Sequence, residues 1–262
     1  MKVIVLIKQV YDRETVRVSR SLGVLDTREA ELMMNPGDRY ALEEALKLKD
    51  SQGAHVVAIS MGRREAEDIL REALATGVDE AVLLADEAFS SVDASAAAMV
   101  VGEAIKRIGD YDVILTGYKA AGDGTGEFGP RLAQYLGLPQ VLGATQLSVN
   151  DNRLTARRSL SSGYAVVEAE LPTVVSVDEG ANRPRHPTLP GSIAAYDEQS
   201  VVVWGAEDLG LTPDDVTEAV RTEVKATAAS PERERGRMIS GEAGEAAREL
   251  LAELSSRGLL PR

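Results

Sequence analysis

The sequence predicts an α/β protein with a doubly wound, mostly parallel sheet. Short apolar runs alternate with longer segments of helical periodicity over residues 1–139, which is typical of parallel strands joined by crossover helices. The runs are continuously apolar, as expected for strands that are covered on both faces. With 262 residues, of which 44% are hydrophobic, the chain is long enough for one large domain and an appendage.

The first half of the chain is predicted to hold four strand–helix units. Strands are predicted at residues 3–7, 54–60, 81–84 and 112–115, where Val, Ile, Leu and Ala follow one another. Helices are predicted at residues 39–50, 64–76, 94–108 and 131–139. Asp38 is a candidate N-cap for the first helix, with Pro36 just outside it.

After residue 139 the pattern changes to short alternating strands. They are predicted at residues 144–149, 153–159 and 164–171, followed by an apolar strand at 172–177, a proline-rich surface loop at 179–191 and a last strand at 199–204. The remainder is acidic until an amphipathic helix at 242–258. We therefore expect an α/β domain with a short β extension over residues 1–204, and a C-terminal arm over residues 205–262.

The composition excludes several functional classes. A net charge of −13 disfavours a nucleic-acid surface, and the lack of cysteine rules out thiolate metal sites and cysteine nucleophiles. His55 and His186 are far apart in sequence, so a histidine metal site is not expected. No continuous apolar run approaches the length of a membrane-spanning helix, which needs about 20 residues. The first apolar run ends at Lys8, which is too early for a signal peptide, and we expect a cytoplasmic protein.

A glycine-rich stretch at residues 117–130 is the clearest functional signal. It follows a predicted strand and precedes a predicted helix, so its glycines let the backbone approach a phosphate that the first helical turn can bind. The pattern matches neither the dinucleotide fingerprint nor the triphosphate loop. Ligands of doubly wound sheets lie at the carboxyl ends of strands, so residues 6–12, 60–63 and 117–128 are expected to form a nucleotide site.

Five short motifs occur in a fixed order along the chain. They are the first strand with Lys-Gln-Val-Tyr-Asp, the Asn-Pro-Gly-Asp turn with its Ala-Leu-Glu-Glu helix, the glycine loop with Gly-Pro-x-Leu-Ala, the Leu-Pro strand with Asn-x-Pro-Arg and Thr-Leu-Pro, and a tail with Leu-Gly-Leu and Ser-Pro-Glu-Arg. Together they resemble the β subunit of electron transfer flavoproteins over nearly the whole length of the chain.

The resemblance implies a fold similar to that of the adenine-nucleotide alpha hydrolases and a heterodimer with an α subunit that carries FAD. It also implies that this chain holds AMP, or a second FAD as in the electron-bifurcating and nitrogen-fixation-linked branch. Electrons would enter from a dehydrogenase or NADH and leave to a quinone oxidoreductase or another acceptor. The β subunit would act as a carrier and supply no general acid, general base or nucleophile.

The family's nucleotide contacts can be carried over position by position. Leu6 and Met61 would read the adenine edge through their backbones, Asn35 or Asp38 would reach the ribose, and the amides of residues 123–128 would hold phosphate. The full set is Leu6, Asn35, Asp38, Met61, Asp93, Gly117, Asp123, Gly124, Thr125, Gly126, Glu127 and Phe128. Each has a structural alternative: a turn, a helix cap, a core side chain or a turn glycine.

The choice between AMP and a second FAD depends on residues 86–97. This stretch resembles a segment typical of members with a second FAD, but Ala94 and Ala97 stand where threonines are expected, and Asp93 could equally cap the following helix. Glu127 replaces a usual glutamine, which lowers phosphate affinity unless the side chain points away or caps the helix.

The resemblance also implies a recognition loop at residues 182–196. Arg185, Leu189 and Pro190 are the predicted partner-binding residues, with Leu189 as an exposed anchor for a dehydrogenase and Arg185 directed to the α subunit. The alternative is that Leu189 packs on its own domain. The family's lysine-rich segment after this loop is missing, so the partner should differ in charge from the usual acyl-CoA dehydrogenases.

Two other functions compete with this interpretation. A stand-alone adenine-nucleotide module of the stress-protein type would share the sheet, but it needs neither the recognition loop nor the acidic arm. An adenylating or ATP-hydrolysing enzyme would need a Ser-Gly-Gly-x-Asp loop after the first strand, where residues 8–12 contain no glycine.

Overall fold

A computed structural model describes residues 1–19, 23–122, 124–226, 228 and 236–260. Within these residues the strands are β1 (Lys2–Leu6), β2 (Gln9–Tyr11), β3 (Arg17–Ser19), β4 (Val24–Asp26), β5 (Leu32–Met34), β6 (His55–Met61), β7 (Glu80–Leu84), β8 (Val113–Gly117), β9 (Gln140–Asn150), β10 (Arg153–Leu160), β11 (Gly163–Glu170), β12 (Thr173–Val177) and β13 (Val201–Trp204). The helices are α1 (Pro36–Gln52), α2 (Glu67–Thr76), α3 (Ala94–Ile108), α4 (Phe128–Leu136), α5 (Leu189–Asp197), α6 (Pro213–Ala219) and α7 (Ala243–Ser256).

The main sheet has nine strands in the order β11-β10-β9-β12-β8-β1-β6-β7-β13. All neighbours from β9 to β13 in this order are parallel, and only the β9–β10–β11 extension is antiparallel. The predicted mostly parallel α/β fold with a short β extension is therefore confirmed. The strands that follow β1 in sequence lie on both sides of it, with β6 on one side and β8 on the other, so the strand order reverses at β1. A ligand site is expected at the carboxyl end of such a strand.

Helices cover both faces of the sheet. Helices α1, α2 and α5 bury their apolar side chains in one cluster, and α3, α4 and α6 bury theirs in a second cluster on the opposite face. Val, Ile, Leu and Ala dominate both clusters, in keeping with the low aromatic content. The central strands are buried on both faces, which accounts for their continuous apolar runs.

Some elements differ from the sequence-based expectation. Helix α1 begins at Pro36 and Asn35 occupies its N-cap position, so the prediction that Asp38 is the N-cap was wrong. Proline is favoured in the first helical turn, and Pro36 was the signal for the true start. The loop predicted at residues 179–191 ends in α5, which begins at Leu189. The short ladders β2–β5 and β3–β4 were not predicted.

The C-terminal region has two parts with different packing. Ala206 and Val216 of the stretch expected to form the arm are buried against the α3–α4 face, whereas α7 buries none of its residues. The tail motif at residues 230–233 lies outside the described residues. Among the described residues, no helix is long and apolar enough to cross a membrane.

Candidate functional site

The predicted nucleotide residues gather at the carboxyl ends of β1, β6 and β8. Leu6 ends β1, Met61 ends β6 and Gly117 ends β8, and these three strands are adjacent in the sheet. Leu6, Met61 and Phe128 also contact the same apolar cluster on the α3–α4 face. Their side chains therefore form an apolar wall at the ends of these strands, against which a flat ring such as adenine could pack.

Asn35 and Asp38 lie at the start of α1, which packs on the opposite face of the sheet, and they hold the loop to the sheet. The Asn35 side chain donates to Asp38 Oδ1 at 2.9 Å and to the carbonyl of Lys119 at 3.0 Å, and it accepts from the N–H of Ala121 at 3.0 Å. Asp38 Oδ2 accepts from the N–H of Lys8 at 2.7 Å. The N-terminus of α1 is thus joined both to the end of β1 and to the glycine loop.

Burial raises the pKa of Asp38 to about 7, although hydrogen bonds from Asn35 and from the N–H groups of Lys8 and Gly117 act in the opposite direction. Those donors all favour the carboxylate form, while removal from water favours the neutral form. The contact of Asn35 or Asp38 with a ribose stays a prediction.

Gly117 is needed because α1 passes directly over the end of β8. A Cβ atom at this position would lie 2.2 Å from Asp38 Oδ1 and 2.9 Å from the backbone nitrogen of Asp38. Side chains do not tolerate such distances, so any larger residue would push α1 away from the strand. The sequence predicted Gly117 as a phosphate-loop glycine, and the structure adds this packing requirement.

The loop between β8 and α4 makes two left-handed turns. Gly124 has φ +64° and Gly126 has φ +68°, values that side-chain-bearing residues rarely adopt. Thr125 lies between them, and Asp123 lies outside the described residues. Arg13 donates to the carbonyl of Ala121 at 2.6 Å, which brings a cation from the β2–β3 connection against the loop.

Helix α4 receives no side-chain cap from its own N-cap residue. Glu127 is at its N-cap position, but its carboxylate makes no capping hydrogen bond and instead accepts from Arg131, at 3.0 Å from Nε and 2.8 Å from Nη2. The same guanidinium donates to Ser95 Oγ at 2.5 Å. Glu127 is therefore neutralised by Arg131 and is not directed at the N-terminus of α4.

Asp93 caps α3, as one of the two sequence-based alternatives expected. Its Oδ1 accepts from the N–H groups of Ser95 and Ala96, each at 3.0 Å. Its Oδ2 accepts from the N–H of Arg221 at 2.9 Å and from the N–H and hydroxyl of Thr222 at 2.9 and 2.8 Å. Burial acts to raise the pKa of Asp93, but these donors outweigh it and hold the pKa at about 2.

Asp93→Asn and Asp93→Ala are expected to separate the two roles of this carboxylate. Asparagine caps helices as well as aspartate does, but its NH2 group cannot accept from residues 221 and 222. In Asp93→Asn only the hydrogen bonds to the C-terminal segment are therefore lost. Alanine loses both, with about 1 kcal/mol from the missing cap. Hydrogen exchange of the amides of Arg221 and Thr222, together with thermal unfolding, measures the two effects.

In the wild type, the hydrogen bonds from residues 221 and 222 to Asp93 depend on pH. Because the pKa of Asp93 falls from 3.8 to about 2 on folding, its contribution is complete above pH 4 and is lost as the pH falls toward 2. If hydrogen exchange at residues 221 and 222 were unchanged in Asp93→Asn, Asp93 would not hold the C-terminal segment.

The recognition segment is tied to α1 by ionic and polar contacts. Arg185 donates to Glu43 through Nε and Nη2, each at 2.9 Å, and to Asp50 at 2.7 Å. Asn182 donates to Glu44 Oε1 at 2.9 Å. Hydrogen bonds to Glu43 and Asp50 raise the pKa of Arg185. Its guanidinium is thus engaged within the chain, and its predicted contact with the α subunit stays a prediction.

Leu189 stands at the exposed start of α5. It is 76% exposed, and Ile193 and Tyr196 on the same helix face are also exposed. Thr188 caps the helix by accepting from the N–H of Gly191 at 3.1 Å, and Pro190 lies in the first turn. Leu189 therefore does not pack on its own domain, which removes the structural alternative, while Ile193 and Tyr196 were missed because no helix was expected here.

The described residues contain no group of three or more His, Asp or Glu side chains placed to bind a metal ion. The site instead combines an apolar wall, a glycine loop and an uncapped helix N-terminus. This arrangement has the parts of a nucleotide site: the wall could cover a base, and the loop with α4 could bind phosphate.

Comparison with known proteins gives consistent matches. The Electron transfer flavoprotein domain model matches residues 22–209. The chain is 34% identical to Electron transfer flavoprotein subunit beta of Thermoanaerobacterium thermosaccharolyticum over 261 residues, covering 99% of this chain and all of that protein. It is 35% identical to the same subunit of Clostridium acetobutylicum, covering 97% and 98% of the two chains. It is 33% identical to Caffeyl-CoA reductase-Etf complex subunit CarD of Acetobacterium woodii, covering 99% and 100%.

Proposed function

The chain belongs to the electron transfer flavoprotein family as a beta subunit, and on that premise we propose that it holds one AMP in the loop at residues 117–128. Its role is electron transfer within a heterodimeric flavoprotein, and the FAD is supplied together with an α subunit. A stand-alone nucleotide-binding module is not favoured, because relatives that match over the full length are subunits of such flavoproteins.

The observation that carries the choice of AMP is the difference between two helix N-termini. Helix α3 is capped by Asp93, whose carboxylate already accepts from the amides of Ser95 and Ala96. Helix α4 has no side-chain cap and follows the left-handed glycines. The N-terminus of α4 beside these glycines suits the single phosphate of a mononucleotide, whereas a second FAD would bring a diphosphate.

In this proposal Leu6, Met61 and Phe128 cover the adenine, and residues 124–128 hold the phosphate. Asp123 remains a proposed contact by family resemblance. The FAD supplies the redox chemistry when it is bound. The residues of this chain bind and orient cofactors and partners, and none of them is proposed to act as an acid, base or nucleophile.

We further propose that a dehydrogenase docks on the apolar face of α5 formed by Leu189, Ile193 and Tyr196. Asp197 and Glu198 follow on the same segment, so the docking site should be an apolar pocket with a basic rim. Arg185 would serve this surface by holding the segment to α1. The donor, the final acceptor and a cytoplasmic location remain predictions from the family, and NADH stays an alternative donor.

Mass spectrometry of the released cofactors tests the central proposal. The chain is co-expressed with its α subunit, the heterodimer is denatured, and the small molecules are identified and counted. One FAD and one AMP per heterodimer are expected. Two FAD would replace AMP with a second flavin and would make NADH-dependent bifurcation the next experiment. FAD without any second nucleotide would reject the assigned nucleotide site.

Glu127→Gln is expected to raise the affinity for AMP by about 3- to 10-fold at low salt. The substitution removes a negative charge next to the α4 N-terminus and frees Arg131 for the phosphate, and the gain should shrink as salt screens the charges. Calorimetric titration of nucleotide-free heterodimer measures it. The control is Glu103→Gln, which removes a carboxylate in α3 that is paired with Lys106. A loss of affinity in Glu127→Gln would mean that Glu127 is needed to orient Arg131.

A further inference from the structure

The side chains of Asn35 and Asp38 are bonded within the protein and almost wholly buried, which leaves a ligand little access to them. Asparagine offers two N–H donors and an oxygen acceptor, and at Asn35 both donors and the acceptor are engaged within the protein. Asp38 accepts from Asn35 through Oδ1 and from the N–H of Lys8 through Oδ2. Asn35 is 2% exposed and Asp38 is 6% exposed.

These contacts form a continuous chain from the sheet to the loop. The N–H of Lys8, just after β1, donates to the carboxylate of Asp38 and fixes its position. Asp38 in turn fixes which way the Asn35 amide faces, because its oxygen accepts from Asn35 Nδ2. Asn35 then holds the loop backbone at residues 119 and 121. Gly37 permits this approach, since a Cβ there would lie 3.0 Å from the Lys119 carbonyl.

Resting on the proposed nucleotide site, we propose that Asp38 and Asn35 are positioning residues that set nucleotide affinity through the loop and do not contact the ribose. Their effect is to keep the glycine loop in the position in which it and the α4 N-terminus face a phosphate. This differs from the expectation by family resemblance, in which one of the two side chains reaches a ribose hydroxyl.

Two substitutions interrupt the chain at different points. Asp38→Asn replaces one acceptor oxygen by an NH2 group, which must face either Asn35 Nδ2 or the N–H of Lys8, so at least one bond is lost. Asn35→Ser keeps a residue that suits a helix N-cap position but is too short to reach the loop. Each is expected to lower AMP affinity by about 10- to 100-fold, because one to two net hydrogen bonds of the loop are lost.

The deciding experiment compares ligands as well as proteins. Nucleotide-free heterodimer is titrated at pH 8 with AMP, 2′-deoxy-AMP and 3′-deoxy-AMP, using wild type, Asp38→Asn, Asn35→Ser and the distant control Asp151→Asn. A positioning role predicts that each variant loses the same factor for all three ligands, and that the control loses none. A smaller loss for one deoxy ligand than for AMP would show direct contact with that hydroxyl and overturn the proposal.

A second measurement keeps the inference separate from the identity of the nucleotide. Hydrogen exchange at the amide of Ala121 in nucleotide-free heterodimer reports the loop directly, and Asn35→Ser is expected to accelerate it. Unchanged exchange at Ala121 would overturn the positioning role even if affinity fell. If wild type binds none of the three ligands, the proposed function fails, while the exchange result still decides the role of Asn35.

Discussion

Gly117→Ala is expected to destabilise the domain by about 3 kcal/mol and to abolish retention of the nucleotide. The added Cβ would lie 2.2 Å from Asp38 Oδ1 and 2.8 Å from the backbone carbon of Gly37. A side-chain contact could relax by rotation, but the backbone contact requires α1 to move, and overpacking of this kind costs about 1–3 kcal/mol. Moving α1 also breaks the bonds that hold the loop. Denaturant unfolding and the amount of nucleotide purified with the heterodimer measure the two effects.

Gly122→Ala is the matched control for this prediction. Gly122 belongs to the same loop, but a Cβ there would meet nothing within 4 Å, and its φ is not in the left-handed region. We expect a change of less than about 0.5 kcal/mol, as for ordinary surface substitutions. If Gly117→Ala behaved like Gly122→Ala, the close passage of α1 over β8 would be wrong.

The glycine loop shows what the sequence could and could not predict about the site. The order of strand, glycines and helix was enough to locate the loop at residues 117–128, because local sequence determines those elements. It was not enough to tell Gly117, which permits helix packing, from Gly124 and Gly126, which adopt left-handed turns. That distinction depends on α1, which is about 80 residues away in sequence.

The fold could be predicted where buried elements give a long, regular pattern of apolar residues in the sequence. The central strands lie between two helix layers and read as continuous apolar runs, and the antiparallel extension shows the alternation of strands with one exposed face. Helix α5 was missed because it is only nine residues long and contains both proline and glycine. Its position depends on Gly191, where a Cβ would lie 2.3 Å from the carbonyl of Ala75, a contact that no local pattern reveals.

The ion pair between Glu43 and Arg185 could not be predicted from the sequence either, because no local pattern reveals it. The two residues are 142 positions apart and belong to two motifs that the sequence presents separately. A glutamate on a helix is ordinarily solvated, yet the Glu43 side chain is only 9% exposed. The structure joins the two motifs into one contact, which gives the recognition segment a fixed position relative to the nucleotide-binding domain.

Arg185→Ala is therefore expected to release the recognition segment and to leave Glu43 buried without its cation. Removing one partner of a largely buried pair is costly, and with Arg185 partly exposed we expect a loss of about 2 kcal/mol in the free energy of unfolding. Electron transfer from the partner dehydrogenase should fall at least 10-fold through weaker docking, about 1.4 kcal/mol. Arg183→Ala, two residues away at an exposed position, should leave the unfolding free energy unchanged.

The double variant Glu43→Gln with Arg185→Ala separates stability from docking. A glutamine carries no charge to leave unpaired, so the unfolding free energy should recover by about 1 kcal/mol or more, while the released segment still docks poorly. Leu189→Ala should show the reverse, with docking lost and stability kept, because its side chain is exposed. If Arg185→Ala instead matched Leu189→Ala in both measurements, Arg185 would be a direct partner contact, as the family resemblance first suggested, and not the residue that holds the segment to α1.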